Sequence, residues 1–85
     1  MKKLFGSMNL CHCLIRLGFS YDKQHGTSHV KFFPPANHFV PKRIRPFIII
    51  QLNKKQFDRH TCGRYITEIV LMGFNRKKVI DAFSD

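Results

Sequence analysis

The residues of this chain best suited to chemistry lie in one short alternating run. Gly26-Thr27-Ser28 is a turn-forming stretch, and it leads directly into His29-Val30-Lys31-Phe32-Phe33. On a strand, successive side chains alternate, so His29, Lys31 and Phe33 share one face and Val30 and Phe32 the other. Val30 and Phe32 give their face a reason to be buried. His29 and Lys31 then stand on the open face, an imidazole beside a fixed cation. An imidazole takes and returns protons near neutral pH, so the pair suits acid–base work on a phosphodiester. Lys31 would hold charge on the phosphoryl oxygens. Gly26 lets the backbone approach a nucleic acid closely, and the N–H groups around it, at Thr27 and Ser28, can bind a phosphate. The plainer alternative is a solvated histidine with no task, and geometry decides between the two. His25, before the glycine, is the rival for the acid–base role, while His12, His38 and His60 have no motif around them.

The charge balance points to the same class of partner. Lys and Arg total 15 against 5 Asp and Glu, a net charge of +10 on 85 residues. That excess favours a polyanion: nucleic acid first, an acidic protein second and an anionic membrane surface third. The five carboxylates are scattered, which argues against a magnesium nuclease. Loop 34–46 holds all four prolines and the cations Lys42, Arg43 and Arg45. It reads either as a stiffened arm contacting phosphates or as a solvated connection, and both stay open.

Three cysteines fit a reducing compartment better than a disulfide framework. Cys11-His12-Cys13, with His60 and Cys62, invites a zinc reading. Adjacent helical residues point in different directions, however, and structural zinc sites favour two to four residues between ligands. Buried thiols are the expectation, with no metal and no cofactor. Met1-Lys2-Lys3-Leu4-Phe5 opens like a secretory signal, but Asn9, His12 and Arg16 interrupt the apolar run. The later apolar run 47–50 is too short to span a membrane. A soluble, cytoplasmic protein is expected.

The elements that position these residues follow from periodicity. Residues 3–17 read as a helix with Leu4, Met8, Cys11, Leu14, Ile15 and Gly18 on one side. Gly18 terminates it, and Phe19 closes the end. Gly6 and Ser7 weaken its first turn. Residues 19–24 fit a first strand, 25–28 a hairpin turn and 29–33 a second strand, which Pro34-Pro35 ends. Residues 47–52 form a third strand, apolar enough to be central in the sheet. Asp58 or Thr61 caps a helix with Cys62, Tyr65, Ile66, Ile69, Val70 and Gly73 on one face. Gly73-Phe74 repeats the terminator pattern, and Asn75 caps a short last helix carrying Val79, Ile80 and Phe83. The Arg76-Lys77-Lys78 cluster in its first turn opposes the helix dipole, which hints at a partner for those charges. The expected fold is a single α+β domain over 1–85, a three-stranded antiparallel sheet with helices on one face (α-β-β-β-α) plus a short C-terminal helix. That order is also the order of the double-stranded-RNA-binding domain.

Leu14-Ile15-Arg16-Leu17-Gly18-Phe19 followed by Gly26-Thr27-Ser28-His29-Val30-Lys31-Phe32 resembles the HicA family of toxin–antitoxin mRNA interferases. Ile69-Val70-Leu71-Met72-Gly73-Phe74-Asn75, then Val79 and Ile80, resembles that family's closing helices. Loop 34–46 is longer than the family's pattern, and the third strand lacks its Val-Pro-x-His ending. The resemblance implies a double-stranded-RNA-binding-like fold that cleaves RNA without a metal, using the motif histidine, which is His29 by position. It also implies a type II toxin acting on mRNA and inhibiting translation, neutralised by a HicB-like antitoxin that covers the site. The alternative is a non-catalytic basic RNA-binding module, which the same charge and element order would suit.

Overall fold

The computed structural model describes residues 4–22 and 28–83. Among these the elements are α1 (Ser7–Arg16), β1 (Ser20–Tyr21), β2 (His29–Phe33), β3 (Ile48–Gln51), α2 (Arg59–Leu71) and α3 (Arg76–Phe83). The strands pair antiparallel in the order β1-β2-β3, so the described chain is a small α+β protein with a three-stranded sheet and three helices. The second strand has the expected bounds. β1 is shorter than the expected 19–24; Lys23 and Gln24 of that span lie outside the described residues. Asp22 still donates its N–H to the Lys31 carbonyl at 3.2 Å.

β3 lies at the sheet edge and β2 at the centre, contrary to the expectation from composition. An unbroken apolar run shows that both faces of a strand are covered, not that both edges are. Ile48 and Ile50 are buried in the core, while Ile49 and Phe47 are half-buried on the other face. Tyr65 of α2 reaches the strand, its hydroxyl oxygen accepting the Gln51 N–H at 3.2 Å.

Alternation sets which face is buried. The cross-strand partners Val30 with Ile50 and Phe32 with Ile48 are all buried. They join Leu10, Cys13 and Leu14 of α1, Tyr65, Ile66 and Ile69 of α2, and Val79 of α3 in one core. Burying each such large side chain stabilises the fold by about 1.5–3 kcal/mol. The buried face of α1 is not the expected one. Leu4, Met8 and Ile15 are exposed, and Leu10 and Cys13 take their place beside Leu14. Two apolar stripes at helical spacing share Leu14 on this helix, and the anchoring of its N-terminus selects between them. Ser7 N–H donates to the Lys54 carbonyl at 2.9 Å, and Ser7 Oγ donates to the Gln51 carbonyl at 2.7 Å.

Both glycine terminators behave as the pattern implies. Gly18 and Gly73 have φ of +94° and +104°, the left-handed region that a side chain disfavours. Gly18 N–H bonds the Ile15 carbonyl and Phe19 N–H the Leu14 carbonyl, a Schellman closure. The phenylalanines that follow pack together, the Phe19 and Phe74 ring centroids 5.2 Å apart. His38 stacks on Phe74 at 4.0 Å, and its Nε2 donates to the Met72 carbonyl at 2.9 Å. Loop 34–46 is therefore strapped across the ends of α1 and α2. Asn75 caps α3 as expected, its Oδ1 accepting the Lys77 and Lys78 N–H groups at 2.9 and 3.2 Å. Asp58 takes the N-cap position of α2 in extended backbone. No helix among the described residues is long and apolar enough to cross a membrane.

Candidate functional site

β2 presents His29, Lys31 and Phe33 on the face opposite the core. His29 is exposed at the first position of this central strand. Two contacts hold the start of the strand. The Ser28 carbonyl accepts the Leu52 N–H at 2.7 Å, and Ser28 Oγ lies 3.3 Å from His29 Nδ1. Across the ladder His29 is paired with Gln51, an exposed carboxamide at the end of β3. Directly opposed residues bring their Cβ atoms within about 5 Å of each other, so the Gln51 side chain, which carries both a donor and an acceptor, starts from the ladder position facing His29.

Lys31 shares the face but not the site. It is paired with Ile49, and its Nζ sits 4.7 Å from the centroid of the Phe47 ring. Phe47 precedes Ile48, the partner of Phe32, so Lys31 leans toward the end of the strands away from His29. Arg45 covers the same ring at 5.0 Å, and Phe33 packs beside it at 6.1 Å. Cation–π contact of this kind contributes about 0.5–1 kcal/mol at exposed sites. Lys31 and Arg45 thus help to cover an aromatic surface on the open face.

The basic loop divides. Arg45 is tied to the fold: Nε donates to the Phe47 carbonyl at 3.1 Å, and the guanidinium pairs with Glu68 at 3.1 Å. Arg64 pairs with the same carboxylate. Lys42 and Arg43 are exposed at the centre of a turn closed by Ile44 N–H to the Pro41 carbonyl at 2.9 Å. They are the two loop cations whose placement suits a phosphate-contacting arm. On α3, Lys77 is paired with Asp81 at 3.2 Å. Gly26 and Thr27, expected to contact phosphate, and His25, the rival histidine, lie outside the described residues.

The cysteines and histidines of the zinc reading occupy separate environments. Cys13 is buried in the core, its Sγ directed at the Val79 carbonyl, and burial pushes its thiol up to about 12. Cys62 is buried against the Phe5 and Phe57 carbonyls, Cys11 is half-buried and His12 is exposed. Among the described residues no three His, Cys, Asp or Glu side chains gather as metal ligands.

Gln51 and Phe47 were not singled out from sequence. The signal for Gln51 is its position as the lone polar residue within the apolar stretch 47–52; the signal for Phe47 is an aromatic two residues after Arg45. Comparison with protein-family models, with curated proteins and with solved structures finds no match to this chain.

Proposed function

We propose that the chain is a metal-independent endoribonuclease of the HicA type, the toxin of a type II toxin–antitoxin pair, and that His29 is its acid–base group. One observation carries this reading: an exposed histidine opens the central strand on the sheet face opposite the core, held by Ser28 and flanked by Gln51. The element order, which is also that of double-stranded-RNA-binding domains, and the net charge of +10 support it.

RNA supplies its own nucleophile. The 2′-oxygen bonds to the adjacent phosphorus as the bond to the 5′-oxygen breaks. The 2′ proton passes to a base, and a proton reaches the departing 5′-oxygen. The products are a 2′,3′-cyclic phosphate and a 5′-hydroxyl. His29 performs one of these transfers with water as the other partner, and the Gln51 carboxamide is placed to bond a phosphoryl or ribose oxygen. The test is incubation of single-stranded RNA with purified protein in excess chelator, with end-group analysis of the fragments. Cleavage leaving cyclic phosphate ends is expected. Binding without cleavage of any RNA would leave the non-catalytic RNA-binding module, which the charge and the element order also favour.

Binding of RNA by the His29→Ala protein is expected to weaken steeply with salt. Each phosphate neutralised adds about 0.7 to the slope of log affinity against log salt for a single strand. Lys42→Ala and Arg43→Ala should each flatten the slope, and Arg45→Ala less, because Glu68 already shares its charge. A flat salt dependence in the parent would point to a protein partner instead. The HicB-like antitoxin is proposed to cover residues 24–33. Hydrogen exchange across that span should slow in the complex, and unchanged exchange there with inhibition intact would place the inhibitor elsewhere.

A further inference from the structure

Part of the expected α1 stripe faces away from the core. Met8, Cys11 and Ile15 recur at helical spacing; Met8 and Ile15 are 71% and 49% exposed, while Cys11 is half-buried against the core. With Tyr21 of β1, which is 47% exposed, they form the walls of an open groove of about 790 Å³. Val30 and Phe32 form its floor, and Leu52 closes one end. The groove therefore lies on the opposite side of the sheet from His29. Scattered exposed apolar residues are ordinary, but a contiguous apolar groove walled by one helix face marks a contact site.

The charges around the groove select its occupant. Lys54 and Lys55 stand exposed at the Leu52 end, and His12 lines the α1 side. No carboxylate is among the described residues that line it. A second copy of the chain would bring another +10 to this surface. For RNA, Tyr21 and His12 offer rings and Lys54 and Lys55 offer phosphate contacts. But Met8, Cys11, Ile15, Val30, Phe32 and Leu52 make most of the lining apolar, which suits protein side chains better than a phosphate backbone. Met8 and Ile15 lie two helical turns apart, about 10 Å, which matches the i, i+3, i+7 spacing of a helix laid along a groove.

We propose that this groove is the docking site for an acidic amphipathic helix of a partner protein. Its apolar residues enter between Met8, Ile15 and Tyr21, and its carboxylates face Lys54 and Lys55. The inference does not rest on RNA cleavage, and its test involves no RNase activity.

The probe is a displayed library of helical peptides with apolar residues at i, i+3, i+4 and i+7 and glutamate on the polar face. A second library carries lysine on that polar face. Only the acidic library is expected to enrich on the full chain. A selected peptide should shift the NMR signals of Met8, Ile15 and Tyr21 and slow alkylation of the half-buried Cys11, while the buried Cys13 and Cys62 report intact folding. The double variant Met8→Glu/Ile15→Glu should bind about thirty-fold more weakly or not at all, as for loss of an interface anchor. Lys54→Gln/Lys55→Gln should weaken binding at low salt and flatten its salt dependence. The peptide mapping on unaltered protein stands even if the double variant unfolds. The proposal is overturned if neither library enriches, if the basic one does, or if selected peptides map outside the groove. It is equally overturned if an RNA oligonucleotide shifts the Met8 and Ile15 signals, or if the chain dimerises through them.

Discussion

Replacement of His29 by alanine is expected to lower RNA cleavage by about 10²–10⁴-fold, the contribution of one acid–base group. The melting temperature should stay unchanged, because His29 is exposed and its strand is held by backbone pairing to Gln51 and by the Leu52–Ser28 bond. Cleavage is measured in chelator at several pH values, and folding is checked by amide NMR. His25→Ala is the companion variant: it should retain most activity, and a larger loss there than at His29 would reassign the acid–base role. Lys31→Ala should cost less than His29→Ala, since its ammonium is engaged over Phe47 and leans away from the imidazole. Full activity in folded His29→Ala protein would remove the catalytic reading altogether.

How far these features can be read from sequence depends on the range of the interactions behind them. The alternation around His29 is local, and it correctly assigned Val30 and Phe32 to the core and His29 to the open face. The two Gly-Phe terminators and the Asn75 cap are also local devices, and each stands where its pattern placed it. The direction of Lys31 was not legible, because it depends on a ring sixteen residues away by sequence number, Phe47 rather than His29. Arg45 was grouped with Lys42 and Arg43 by composition, whereas its partner Glu68 lies on a later helix. His38 had no motif because its role is to stack on Phe74 and bond Met72, contacts made only once the chain has closed. α1 offered two apolar stripes of comparable quality, and nothing within the helix distinguished them.

What distinguishes them is the anchoring of Gly6 and Ser7, residues that a propensity argument treats as a weak start to the helix. Gly6→Ala is expected to be among the most damaging single substitutions in the chain. The Gly6 backbone is extended, with φ −112° and ψ −170°, so alanine suffers no conformational strain there. The obstacle is space. A Cβ at Gly6 would lie 2.0 Å from the Lys55 carbonyl oxygen and 2.5 Å from its carbon, and both atoms are backbone. To relieve the clash, the chain must separate α1 from the segment after β3, and the bonds joining them go too. These are Ser7 N–H to the Lys54 carbonyl, Ser7 Oγ to the Gln51 carbonyl, Lys54 N–H to Ser7 Oγ and Phe57 N–H to the Phe5 carbonyl. Ser7 is buried, so bonds broken there leave groups with poor access to water. Together these losses are expected to cost about 3 kcal/mol or more, a large share of the stability of so small a domain. Gly63→Ala is the opposite case. Nothing lies within 4 Å of a Cβ added there, in the interior of α2. Better helix propensity should stabilise that variant by about 0.5–1 kcal/mol. Urea unfolding of the parent and both variants tests the pair: Gly6→Ala should lower the midpoint sharply and Gly63→Ala should raise it. A Gly6→Ala protein as stable as the parent would show that α1 is not held against the β3–α2 segment in this way, and the choice between its two apolar stripes would need another cause.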